Sequence, residues 1–246
     1  MIRAYLFDLD GTLFRGSVAI PGAAEAVNAL RARGAAIRFL TNNSTRTRDE
    51  FAAKLRGFGY VAEDREVYST AAGTAFHLNE SGLKSAFVVG EIGLKATLAE
   101  SGIAVVEEGP ADAVVVGLAR NFSYDMLKEA MERIRAGAAF VATNPDKTYP
   151  VEGGGLIPGA GSIVAAVRAC SGVEPFIVGK PNPFLVRAAV AELRLNPEEV
   201  LVVGDRLDTD IEAGKAAGCP TWLVLSGVEP ALPDGQPGSA DVTGLL

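Results

Sequence analysis

The chain has 246 residues, 48% hydrophobic and 22% charged, with a formal net charge of −7. This composition suits one or two globular domains with sizeable cores and excludes a disordered chain. The acidic balance argues against a nucleic-acid surface, which needs clustered Lys and Arg, but not against a phosphorylated substrate, because a bound divalent cation reverses the local sign.

Met1-Ile2-Arg3-Ala4 leads directly into the apolar Tyr5-Leu6-Phe7, which predicts a first core strand and not a signal peptide. A helix over Ala23–Ala32, closed by Gly34, precedes a second strand at Ala36–Leu40 and a helix near Arg48–Phe58. The same alternation continues through Ala86–Val89, Ala113–Val116, Ala139–Val141 and Val200–Val203. Strands apolar at nearly every position are buried on both faces, so the expected class is α/β with parallel sheets. No apolar run approaches the roughly 18 residues that span a bilayer. No membrane association and a cytoplasmic location are expected. Cys170 and Cys219 have neither metal-like nor redox-like spacing, and buried free thiols are expected.

In parallel sheets, ligands sit at the carboxyl ends of strands. Four polar residues follow apolar runs directly: Asp8, Thr41, Lys180 after Phe176-Ile177-Val178, and Asp205. A doubly wound sheet can bring all four to one rim. Roughly 140 residues separate Thr41 from Lys180, far more than one crossover needs. An inserted domain over 79–174 is therefore expected, with a catalytic core formed by 1–78 and 175–246. The Pro- and Gly-rich stretch from Gly227 to Gly238 is expected to be a surface loop.

Asp8-Leu9-Asp10-Gly11-Thr12 places two carboxylates at i and i+2, which point the same way on a regular strand. One could act as nucleophile or metal ligand and the other as proton donor, although Asp-x-Asp alone is also a common strand end with a capping Asp. Gly204-Asp205-Arg206-Leu207-Asp208-Thr209-Asp210 is a second acidic cluster. Asp205 is the best further ligand for a hard divalent cation, with Asp210 as its supporting partner. Thr41-Asn42-Asn43-Ser44 offers donors ahead of a helix, suited to an anion or to ordinary capping. Lys180 could balance the nucleophile and incoming phosphoryl oxygens. The single histidine, His77, has no nearby Asp or Ser arrangement, and a structural or surface role is expected. Neither a GxGxxG after a strand nor a Walker pattern occurs.

FDLDGTL at Phe7–Leu13, TNNS at Thr41–Ser44, VGKPNP at Val178–Pro183 and VGDRLDTDI at Val203–Ile211 together resemble the haloacid dehalogenase superfamily, specifically its NagD-like phosphatase branch. The resemblance extends to Ala142–Asp146 and Pro158–Ser162 and so covers most of the chain. It implies a Rossmann-like core with an inserted α/β cap of the C2 type. Asp8 would attack the phosphorus of a monoester, and Asp10 would protonate the leaving oxygen and then activate water. Thr41, Asn42 and Asn43 would hold the phosphoryl oxygens, and Lys180 would stabilise both the phosphate and Asp8. Mg²⁺ would bind Asp8, the backbone carbonyl of Asp10, and Asp205.

Asp10 favours phosphate-ester over carbon–halogen cleavage, because an alkoxide needs a proton to leave and a halide does not. The expected substrate is a small phosphorylated metabolite: a sugar, polyol, nucleoside or glycolate phosphate. Asn144–Pro150, followed by Val151 and Glu152, is the expected contact loop, with Asp146 and Tyr149 as candidate substrate contacts. Relatives that hydrolyse pyridoxal phosphate carry His where Tyr149 falls, which argues against that substrate. Cap-to-cap homodimers occur among similar proteins. A non-catalytic relative that binds a phosphorylated ligand would be expected to lose Asp8, Asp10 or Asp205, whereas phosphoryl transfer to an alcohol stays open at this level.

Overall fold

A computed structural model describes residues 1–150 and 155–246. In chain order the elements begin with β1 (Ala4–Asp8), the short pair β2 (Phe14–Arg15) and β3 (Val18–Ala19), α1 (Ala23–Ala32), β4 (Ala36–Thr41), α2 (Arg48–Gly57) and β5 (Val67–Ser69). There follow α3 (Thr70–Glu80), β6 (Ser85–Val89), α4 (Ile92–Glu100), β7 (Ala104–Val105), β8 (Ala113–Val116), α5 (Tyr124–Arg135), β9 (Ala139–Ala142), the hairpin strands β10 (Thr148–Pro150) and β11 (Leu156–Pro158), α6 (Ala160–Ser171) and β12 (Phe176–Ile177). The chain ends with α7 (Phe184–Leu193), β13 (Val200–Gly204), α8 (Glu212–Ala216), β14 (Thr221–Val224) and β15 (Gly238–Ser239).

These elements form two compact units, residues 1–41, 48–68 and 180–246, and residues 42–47 and 69–179. The α/β class expected from the uniformly apolar strands holds in both. The first unit carries a six-stranded sheet in the order β15-β14-β13-β1-β4-β5. There β1 pairs in parallel with β13 on one side and β4 on the other. The chain runs outward from β1 through β4 and later returns to the opposite side at β13, so the strand order reverses between β1 and β13. The carboxyl ends of those two strands flank the crevice where such sheets hold ligands. The sheet is anchored by Phe7, Ile37, Phe39, Leu201 and Val203 in one buried cluster with Val27 and Leu55 of the helices.

The second unit carries a five-stranded, all-parallel sheet in the order β12-β9-β8-β6-β7. Its own reversal lies between β6 and β8. Val89, Val114, Val116 and Phe140 pack there with Ile134 of α5 and Val164 and Val167 of α6.

The boundaries of the compact units differ from those expected from the sequence. The second unit takes in Ser69 to Gly179 instead of 79–174, because α3 packs on α4 and β12 extends the second sheet beside β9. It also claims 42–47, which the sequence placed with the core. For the same reason Phe176-Ile177 is not a strand of the sheet that holds Asp8, so the four strand ends do not share one rim. Among the thiols, Cys219 is buried as expected, but Cys170 is only half-buried. His77 stacks on Phe176 with ring centroids 4.0 Å apart, within the second unit. Among the described residues no helix is long and apolar enough to cross a membrane.

Phe39 is fully buried and meets the Tyr60 ring edge-on at 6.4 Å. Phe39→Ala is expected to cost about 3–5 kcal/mol, by lost transfer free energy and a residual cavity. A lowered urea midpoint for the first unit would show it.

Candidate active site

β1 ends at Asp8, where the backbone leaves the strand. Leu9 lies in a bend, and Asp10 forms an isolated bridge to Phe14. Strand alternation therefore does not set the direction of Asp10, contrary to the i, i+2 expectation. Gly11 N–H donates to Phe14 O at 2.7 Å and closes the turn. Gly11 has φ +92°, and a Cβ there would lie 2.4 Å from Asp205 Oδ2. Both the left-handed backbone and the close approach require glycine.

Asp205 follows β13 directly and is 1% exposed. Its Oδ2 accepts from Val228 N–H at 2.8 Å, while its Oδ1 is buried without a hydrogen-bond partner. The loop after β14 completes this cradle: a Cβ on Gly227 would lie 1.9 Å from Asp205 Oδ2, and Ser226 Oγ donates to Gly11 O at 2.7 Å. Arg15 Nε in turn donates to Ser226 O at 2.5 Å. The sequence pattern suggested only a surface loop from Gly227 to Gly238 and gave no hint of this cradle. No local signal marks it, since the Ser226 hydroxyl and the Gly11 carbonyl it ties down lie 215 residues apart in sequence, and Val228 lies 23 residues past Asp205.

Asp210 lies in a single π-helical turn, Leu207–Ile211, and not in the regular helix that the sequence suggested. Its Oδ2 accepts from Arg206 N–H at 3.1 Å, closing that turn. Its Oδ1 accepts from Lys180 Nζ at 2.6 Å. Lys180 also donates to Asp8 Oδ1 at 2.5 Å and is 3% exposed. One buried ammonium thus joins the two carboxylates. Burial alone would lower the Lys180 pKa, but Asp210 and Asp8 outweigh it and hold the ammonium protonated.

The carboxylates feel opposing effects. Burial pushes Asp8 well above the ordinary carboxylate range, Lys180 pulls it down, and Asp210 and Asp205 push it up again. Burial, then Asp210, pushes Asp205 up to about 7. Ligand atoms of Asp8, Asp205 and Asp210 lie within 4.8 Å of one another. Three hard oxygen donors around an orphaned buried oxygen suit a divalent cation, which would supply the missing partner and relieve the repulsion.

Thr41 is buried and ends β4, one residue past the register pair of Asp8 and Leu40. Asn42 and Asn43 belong to the second unit and meet Asp146 and Tyr149 there. Asn42 Nδ2 donates to the Asp146 carboxylate at 3.1 and 3.3 Å, and Asn43 Nδ2 donates to Tyr149 Oη at 3.1 Å. The segment Gly159–Ser162 supports the same loop. Gly161 N–H donates to Asp146 O at 2.8 Å and Ser162 Oγ to Lys147 O at 2.7 Å. Val151 and Glu152 lie outside the described residues.

The haloacid dehalogenase-like hydrolase family matches residues 5–104, and an HAD-hydrolase-like family model matches residues 177–240. The chain is 39% identical to the ribonucleotide monophosphatase NagD of Escherichia coli K12, over 92% of this chain and 89% of that one. It is 41% identical to human glycerol-3-phosphate phosphatase, over 92% of this chain and 80% of that one. Among solved structures, the glycerol phosphate phosphatase of Mycobacterium tuberculosis in complex with magnesium superposes with a TM-score of 0.88 at 39% identity, over 99% of this chain and 77% of that one. Its acidic clusters, its two sheets and these relatives agree that the chain belongs to the haloacid dehalogenase-like hydrolases, in their NagD-like phosphatase branch.

Proposed function

We propose that this phosphatase hydrolyses small phosphate monoesters through an aspartyl-phosphate on Asp8, with Mg²⁺ as its metal. The observation that carries the reading is the buried Lys180 ammonium shared by Asp8 and Asp210, beside an Asp205 with one orphaned oxygen. Asp8, the Asp10 carbonyl and Asp205 would hold the metal, with Asp210 supporting them. A bound divalent cation neutralises carboxylate and phosphoryl charge as the nucleophile approaches. The magnesium and calcium complexes of the mycobacterial relative support a divalent cation at this kind of site.

In the first step an Asp8 carboxylate oxygen attacks phosphorus and the ester P–O bond breaks. Asp10 gives its proton to the departing alkoxide, which leaves as the alcohol. In the second step Asp10, now ionised, takes a proton from water as that water attacks phosphorus. The P–Oδ bond breaks, Asp8 is regenerated and inorganic phosphate leaves. Lys180 offsets charge on Asp8 and the phosphoryl oxygens throughout. Thr41, Asn42 and Asn43 hold those oxygens, and Asp146 and Tyr149, on the separate 144–150 loop, govern selectivity. Relatives named for ribonucleotides and for glycerol 3-phosphate support a small, polar monoester.

Wild type is expected to hydrolyse p-nitrophenyl phosphate with Mg²⁺ and to stop with a chelator. Asp8→Asn should lose on the order of 10³-fold or more in kcat, and full activity in that variant would overturn the assignment. Asp10→Asn should lose about 10²–10⁴-fold on alkyl phosphates and less on p-nitrophenyl phosphate, whose leaving group departs without a proton. A leaving-group series measures that difference.

Asp205 has a raised folded-state pKa, so its contribution to stability is present in acid and is lost as pH rises through about 7. Melting of chelator-treated protein at pH 8 is therefore expected to be higher for Asp205→Asn than for wild type. The gain should be on the order of a few °C, and the same variant should lose the stabilisation by added Mg²⁺.

A further inference from the structure

Each sheet reverses its strand order once, and the two crevices are occupied differently. In the second unit its own residues 42–47 fill the crevice at the β6/β8 reversal, where a doubly wound sheet ordinarily takes a ligand. Ser44 Oγ approaches Thr143 Oγ1, just past β9, at 3.5 Å, and would lie 3.0 Å from a Cβ on Gly117, just past β8. A Cβ on Gly93, in the first turn of α4 after β6, would lie 2.3 Å from Thr45 O. In the first unit the β1 and β13 ends bring Asp8 and Asp205 to the reversal instead, and the loop after β14 closes on Asp205.

That loop is fastened to the backbone on which the Asp205 carboxylate rests. Gly11 and Gly227 both press on the carboxylate, since a Cβ on them would lie 2.7 and 2.4 Å from Asp205 Cγ. The buried Ser226 hydroxyl donates to Gly11 O at 2.7 Å and so ties one glycine segment to the other. Strand β2 holds each of them in turn. Gly11 N–H donates to Phe14 O at 2.7 Å, and Arg15 Nε donates to Ser226 O at 2.5 Å. Further along the loop, Val228 N–H donates to Asp205 Oδ2, Glu229 N–H to Asp205 O at 3.3 Å, and Leu207 N–H to Glu229 Oε1 at 3.2 Å. The carboxylate is thereby held by its Oδ2 edge, and its Oδ1 stays buried without a hydrogen-bond partner.

We propose that Ser226 is a positioning residue for the divalent cation: its bond to Gly11 O locks the Asp205 carboxylate and so favours Mg²⁺ over Ca²⁺. The proposal rests on the metal role assigned above to Asp205. Mg²⁺ demands a near-ideal octahedron at short distances, whereas Ca²⁺ accepts a flexible set of oxygens. A carboxylate that gains freedom to tilt therefore loses Mg²⁺ first. Ser226 acts through the two glycine segments and stands outside both acidic clusters of the sequence.

The test measures the Kd of Mg²⁺ and of Ca²⁺ in the full chain without substrate, by displacement of Mn²⁺ read as the EPR signal of the free ion. Ser226→Ala is expected to raise the Mg²⁺ Kd about 10-fold or more, the usual worth of a residue that orients a metal ligand, and the Ca²⁺ Kd less than about threefold. Ser226→Thr keeps the hydroxyl and should restore the ratio of the two constants. Ser239 is a serine of the same unit whose hydroxyl likewise donates to a backbone carbonyl, Asp241 O, at 2.6 Å. Ser239→Ala should lower the melting temperature without moving either Kd.

A Mg²⁺ Kd within about twofold of wild type in Ser226→Ala, below the range for such residues, overturns the role, and so does an equal rise for both ions. If Ser226→Ala does not fold, Arg15→Ala decides alone, because Arg15 is exposed and its loss unseats Ser226. That variant is expected to raise the Mg²⁺ Kd about fivefold, the worth of one hydrogen bond, and an unchanged Kd there overturns the role. Asp205→Asn separates the ligand from its support. An unchanged Mg²⁺ Kd in that variant sinks the metal assignment itself, whereas a raised Kd there with none at Ser226 sinks only the positioning role.

Discussion

Lys180 stands between Asp8 and Asp210, and the arrangement around it follows from what burial does to charge. Three carboxylates that shared this pocket without a cation would repel one another and lose hydration as well, and at least one would take up a proton. The ammonium holds two of them in fixed positions by hydrogen bonds of 2.5 and 2.6 Å. It cannot serve the third. Asp205 is left with an unpartnered oxygen and a carboxyl pushed up to about 7, in a site short of positive charge. The same imbalance suits the pocket to a divalent cation.

Much of the backbone near the pocket makes sense as the means of bringing these groups together. Strand order reverses between β1 and β13, which brings Asp8 and Asp205 side by side. The π-turn at Leu207–Ile211 lets one residue, Asp210, close its own turn with one oxygen and take Lys180 with the other. Gly11 and Gly227 leave no side chain where the Asp205 carboxylate must sit. A methyl group at either position would strike that carboxylate before any metal or substrate arrived.

The strands were legible because both sheets are buried on both faces, and uniformly apolar runs such as Val200–Val203 and Ala113–Val116 fit few places in a folded chain except a covered sheet. Asp8 and Asp205 were legible for the same reason: an acid directly after such a run stands at a carboxyl edge. What periodicity cannot say is which sheet a strand joins. Phe176-Ile177 looked like a fourth strand of the catalytic sheet but closes an edge of the second. Lys180 reaches Asp8 after the chain has changed units. The start of the second unit was hidden as well, since α3 is rich in small buried residues and no Gly- or Pro-rich linker precedes it. Ser226–Val228 reaches Gly11 and Asp205 through contacts that composition and spacing do not carry.

The seating of residues 42–47 bears on how such a chain could be recombined. A designer wishing to exchange substrate preference between two relatives would cut at the boundaries of the large insertion and graft 69–179 as a block. In this protein that graft would carry the floor, with Gly93, Gly117 and Thr143, but leave behind the six residues moulded onto it. The donor block and the recipient loop would then meet as strangers, with backbone approaching backbone at distances only matched partners tolerate. A functional chimera must inherit both segments together, and natural lineages that drift at Gly93 should drift at Thr45 and Arg46 in step.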